Sequence, residues 1–184
     1  MEGEDDFGDT GLMIACQEGN FYVVKKLLEH CERNGIYLKM VNSYSQMTVL
    51  QMACQCLPLI EAVDEGWMTI EEQRERSKRT VNILLEHAAR YSECDPSTNL
   101  YLDVNAKADP GGQTAFEIAV LAGRVDLVEL FINYSDIEDC LLNLNLRDHP
   151  GLCFFLLSES LTPIIDAETW VQYGQLTHLQ LKLK

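Results

Sequence analysis

Four histidines, seven cysteines and one glycine-rich turn are the residues of this 184-residue chain whose types could carry chemistry. His30 and His87 each close a Leu-Leu-Glu-His run. That is the place of a helix carboxyl end, where a positive or dipolar group is favoured, so a helix-terminus role is expected rather than a base or a metal ligand. His149 precedes a turn and His178 lies in the tail, and neither has a catalytic companion nearby. Cys54 and Cys56 stand too close together for a zinc-finger pair, and no second pair follows at ligand spacing. Cys31, Cys94, Cys140 and Cys153 share no spacing at all. Asp109-Pro110-Gly111-Gly112 is glycine-rich, but the tip of a hairpin accounts for it. Phosphate-loop, nucleophile-elbow and dinucleotide fingerprints do not appear. The expectation is a chain with no catalytic residues, no metal site and no cofactor.

The elements that would position any site are clearest at 114–132. Thr114 can cap a helix, because its hydroxyl can accept a backbone N–H two or three residues on. Phe116, Ile118, Ala119 and Ala122 give that helix an apolar side. Gly123 stops it in the left-handed conformation a tight exit needs. Asp126 puts negative charge in the first turn of the next helix, whose buried face is Leu127, Val128, Leu130, Phe131 and Ile132. The same grammar runs from Thr10 through Gly19 to Val23-Val24 and Leu27-Leu28. Such a hairpin of two short helices cannot bury its own apolar surface and needs neighbours like itself.

Nine positions separate Thr10 from Gly19, and nine separate Thr114 from Gly123. With the Asp103-Val104-Asn105 entry and the glycine-containing tip at 109–112, the pattern resembles the ankyrin repeat. The resemblance implies an all-α fold, a solenoid of stacked helix-turn-helix hairpins with β-hairpin-like fingers. Gly11 stands where that family usually has proline, which removes a pre-set φ from the first helical position.

Taken in order, residues 1–9 read as an acidic, solvated lead-in. Residues 10–160 read as repeats, at about 10–42, 43–102, 103–135 and a degenerate 136–160, with 161–184 a cap or tail. The first repeat has helices near 11–18 and 21–33, an extended arm at 36–41 and a tip at 42–46. The second opens at Thr48, 38 residues after Thr10, and holds an insertion at 56–68 and a long polar loop at 92–102. Thr69-Ile70-Glu71-Glu72 is a capping box, so one helix runs from there to about Tyr91. A further repeat hidden from Thr80 is rejected, because Leu85 and Ala89 stand where a small residue and a glycine are needed.

Composition bounds the function. Hydrophobic residues make up 47% of the chain, enough for a core, and no run approaches a membrane span. The acidic start is not a secretory signal. An odd number of irregularly spaced cysteines, with Cys16 and Cys54 at small core positions, reads as reduced thiols in a cytoplasmic or nuclear protein. A net charge of −15 opposes binding to nucleic acid or an anionic membrane, and favours a partner with a basic segment.

By resemblance, function lies on a concave face built from tips and first helices. The tips offer Tyr44, Gln46, Met47, Lys107, Asp109 and Gln113. The helices offer Met13, Gln17, Gln51, Gln55, Glu117 and Leu121, and Trp67 stands on the insertion as a further contact residue. The insertions are expected to mark the partner-binding side. The reading is a non-catalytic protein–protein interaction module, an adaptor, scaffold or stoichiometric inhibitor. The alternative is the cytosolic ankyrin segment of a larger channel or enzyme assembly, against which the start at Met1 and the lack of a span weigh.

Overall fold

The computed structural model describes residues 3–36, 38–55, 68–91, 101–107 and 112–135. Six helices occupy them: α1 (Gly11–Gln17), α2 (Phe21–Asn34), α3 (Val49–Cys54), α4 (Ile70–Arg90), α5 (Ala115–Leu121) and α6 (Val125–Ser135). Among the described residues there are no strands, only one isolated antiparallel bridge between Val41 and Thr48. The fold is helical, as the sequence implied. The degenerate repeat expected at 136–160, the cap or tail at 161–184, and all but the last residues of the insertion at 56–68 and the loop at 92–102 lie outside the described residues.

Local chemistry starts and stops these helices where expected. Thr10, Thr48, Thr69 and Thr114 are extended N-caps, and each accepts from the amide three residues on. Gly19 and Gly123 adopt φ of 65° and 64°. After α1, Gly19 N–H donates to Cys16 O and Asn20 N–H to Ala15 O; after α5, Gly123 donates to Val120 O and Arg124 to Ala119 O. Both turns are therefore Schellman exits, which satisfy the last carbonyls and let the chain double back at once.

Packing places α1, α3 and α5 in one row, α1 against α3 and α3 against α5. It places α2, α4 and α6 in a second row in the same order, and each hairpin also packs its own two helices together. Small buried residues make the close first row feasible: Ala15 and Cys16, Ala53 and Cys54, and Ala119. Leu12, Leu50, Leu84, Leu127 and Phe131 fill the space between rows, and Phe116 meets Phe131 edge-on at 5.8 Å. Helix α4 is continuous, and Thr80 lies in its interior with the hydroxyl bonded back to Arg76 O at 3.0 Å. No hairpin begins there.

The hairpins are also tied by buried polar groups. Gln51 Oε1 accepts from Thr48 N–H at 2.6 Å, and its Nε2 donates to Ala106 O at 3.0 Å and Gln113 O at 2.6 Å. Arg124 grips Asp126 with two bonds of 2.9 and 2.7 Å and also donates to Arg74 O and Ser77 Oγ. Ser77 Oγ in turn donates to Ala53 O at 2.9 Å. Burial pushes the Asp126 carboxyl up, but the Arg124 hydrogen bond and charge outweigh it, and the group ionises below its ordinary 3.8. Gln73 Nε2 reaches Glu18 O at 3.3 Å, where α4 passes close beneath Gly19.

Replacing Gln51 by Ala removes a cap and leaves two carbonyls of the next segment without their donor. A loss of about 2–4 kcal/mol is expected in urea unfolding. Gln17→Ala, at an exposed position of the neighbouring helix, is expected to stay within about 0.5 kcal/mol. Equal losses for the two would refute the role assigned to Gln51.

Candidate functional site

A groove of about 470 Å³ opens between the tips and the first-row helices, lined by Phe7, Asp9, Gln17, Asn42, Tyr44, Ser45, Met47, Met52 and Gln55. Two turns build its rim, and a third of the same kind stands at 103–105 outside its lining. Asp5 Oδ1 accepts from Phe7 N–H and Asp9 N–H, both at 2.9 Å. Asn42 Oδ1 accepts from Tyr44 N–H at 2.7 Å and Ser45 N–H at 2.8 Å. Asp103 Oδ1 accepts from Asn105 N–H at 2.9 Å. The same device, a short side chain standing in for a backbone acceptor, thus shapes each tip. Gln46 completes the second tip at φ 55°, unusual for a residue with a side chain.

The first two tips are locked side by side. Asn42 is buried, and its Nδ2 donates to Phe7 O at 3.1 Å and Asp9 Oδ1 at 2.6 Å. Lys39 bonds Glu4 and Ser43, and Ser43 Oγ donates to Glu4 Oε2 at 2.9 Å. Residues 5–9, expected as a solvated lead-in, are therefore a folded turn against the next tip. The Tyr44 ring lies over Gly8, whose φ of 77° and lack of a Cβ admit it; a Cβ there would stand 2.6 Å from the ring.

Of the residues expected on the face, Gln17, Tyr44, Met47 and Gln55 line this groove together. Gln46, Lys107 and Leu121 are exposed beyond it, and Gln113 is half-buried with its carbonyl bonded to Gln51. Met13, Gln51 and Glu117 require correction, because all three are buried. Each is the third residue of its helix and turns back to the amide of the capping threonine: Met13 Sδ to Thr10, Gln51 Oε1 to Thr48, Glu117 Oε2 to Thr114. The spacing Thr-x-x-Gln/Glu at 48–51 and 114–117 carried that signal. Trp67 and Asp109 lie outside the described residues. Phe7, Asp9 and Asn42 were missed, although Asp5 to Gly8 before Thr10 has the makings of a turn.

The two matched histidines differ. His30 is exposed beside Asn34, whereas His87 is fully buried, its Nδ1 3.0 Å from Glu32 Oε1 and its ring 4.8 Å from Tyr91. Glu32 also meets Arg90 at 3.4 Å, so this pair joins α2 to α4. A second cavity of about 490 Å³ lies between those helices. Among the described residues eight Lys, Arg and Glu side chains line it, including the pairs Arg79–Glu75 and Arg90–Glu32, which marks a solvated ionic face. Cys16, Cys31 and Cys54 are buried thiols. Among the described residues no three His, Cys, Asp or Glu side chains are grouped to hold a metal ion, and no helix is long and apolar enough to cross a membrane.

Residues 7–36, from the first tip through α1 and α2, match the family description of the ankyrin repeat. Over that stretch the chain is similar to the ankyrin repeat. Modules of this kind are generally protein–protein interaction units and typically non-catalytic. Neither the curated proteins nor the solved structures yield a match.

The Lys39 and Ser43 hydrogen bonds hold the Glu4 carboxyl below its ordinary 4.5. A depressed carboxylate adds stability above the unfolded value and loses it as pH falls through the folded one. The tip contact is thus expected at full strength above pH 4.5 and released below the depressed value. Carboxyl NMR titration checks this: Glu4 should titrate below 4.5, and Lys39→Met should move it upward. An unmoved midpoint would count against the contact.

Proposed function

We propose that the hairpins stack as a short ankyrin-repeat solenoid whose concave face docks another protein. The repeats fall at about 10–42, 43–102 and 103–135. Its task is recognition without catalysis, as an adaptor or stoichiometric inhibitor. One observation carries the reading: Tyr44 and Met47 from a tip, and Gln17 and Gln55 from two first-row helices, converge on one open groove beside the exposed Phe7. Phe7 and Tyr44 expose 76% and 75% of their surface, which places two large aromatics in solvent at one rim. Aromatics in such positions dominate binding energy at interfaces. The hydrogen bonds that lock the tips before any partner arrives lower the ordering cost of association.

The net charge of −15 supports a protein partner with a basic segment over nucleic acid or an anionic membrane. The buried thiols Cys16, Cys31 and Cys54 support a reducing compartment, cytoplasm or nucleus.

The test is affinity capture with mass spectrometry from the native source, comparing the full chain with its Tyr44→Ala/Gln55→Arg variant. Recovery of specific partners should fall roughly tenfold or more, as truncation of a central aromatic does. Lys26→Ala, on the outer helix α2, should leave recovery unchanged. If both variants capture the same partners equally well, the groove is not the docking face.

A further inference from the structure

We infer that the groove contains a subsite for one arginine side chain of the docked segment, seated against Asp9 and the Tyr44 ring. The inference rests on the docking reading above and adds what is recognised there.

Among the described residues, Asp9 is the one acidic side chain in the lining, and no Lys or Arg lines the groove with it. Its two oxygens accept only from neutral amides, Asn42 Nδ2 at 2.6 Å and Gln17 Nε2 at 3.4 Å. Those bonds fix the carboxylate in position without neutralising it. Lys39, on the same tip segment, is outside the lining and is engaged with Glu4 and Ser43. A fixed, uncompensated carboxylate in a partly desolvated groove calls for a positive charge from outside.

The remaining walls say what stem that charge should ride on. Tyr44 and Phe7 are largely exposed at the groove, and a cation is attracted to the face of an aromatic ring. The Tyr44 ring is held against Gly8, and its backbone amide is fixed by Asn42 Oδ1. Met47 and Met52 add adaptable thioether surface suited to an alkyl chain. An apolar stem ending in a planar cation fits this set. Guanidinium is favoured over ammonium because it stacks on rings, sheds water more readily and can bond a carboxylate with two N–H groups.

The test uses the isotope-labelled full chain and two probe peptides, acetyl-Ala-Leu-Arg-Leu-Ala-amide and the same peptide with citrulline for arginine. Citrulline keeps the shape and removes the charge. The arginine peptide should shift the amide signals of Phe7, Asp9 and Tyr44, and should bind roughly fivefold more tightly than the citrulline peptide, the difference between a charged and a neutral hydrogen-bond pair. Asp9→Asn, which keeps the acceptor for Asn42, should abolish that preference while leaving citrulline binding unchanged. Tyr44→Leu should weaken the arginine peptide roughly two- to thirtyfold. Equal binding of the two peptides, or no shift of those three amides at millimolar peptide, overturns the subsite. Either result, with partner capture still lost in Tyr44→Ala/Gln55→Arg, removes the arginine assignment alone. Capture insensitive to that double variant removes the docking reading itself.

Discussion

Helices of six or seven residues do not persist in water by themselves, because the cost of the first turn is never recovered over so short a length. Among the described residues the first row consists of three such helices, with seven, six and seven residues. Two things hold them. A threonine at each start satisfies an amide that would otherwise be free, and the third residue of the helix satisfies the threonine's own amide. The apolar face then needs a second helix behind it and another short helix beside it. Every hairpin is therefore conditional on its neighbours, and the groove exists only because the stack does.

Lateral contact is made by hydrogen bonds as much as by apolar packing. Gln51 starts its own helix and at the same time holds Ala106 O and Gln113 O of the next segment. Arg124 reaches from the turn between α5 and α6 to Arg74 O and Ser77 Oγ of α4, and Ser77 continues to Ala53 O. Asn42 does the corresponding work at the tips, joining the second to the first. In each case one buried side chain serves two segments, so its removal costs more than one bond's worth.

The same economy shapes the groove. Asn42 bonds Tyr44 and Ser45 on its own tip and Asp9 on the neighbouring one, so the rim aromatics and the carboxylate are placed by a single side chain. The outer face contrasts with this. Its cavity is lined by charges of both signs on α2 and α4, and the pairs Arg79–Glu75 and Arg90–Glu32 within it are already made.

The threonines at 10, 48, 69 and 114, the glycines at 19 and 123 and the long helix from Ile70 were all legible in the sequence, as was membership of the helical class. These depend on interactions within a single turn or on the period of one helix, and such signals lie between near neighbours in the chain. Met13, Gln51 and Glu117 were expected on the open face by resemblance, yet the third residue of each short helix is buried and drawn back to its cap. The divergence of His30 from His87 and the order of residues 5–9 were beyond the sequence for a different reason. Their partners stand across the fold: Glu32 is 55 positions from His87, and Asn42 is 33 from Asp9. Local residue types alone determined where helices begin and end; only the stacking of hairpins decided which polar side chains face the groove and which become its internal struts.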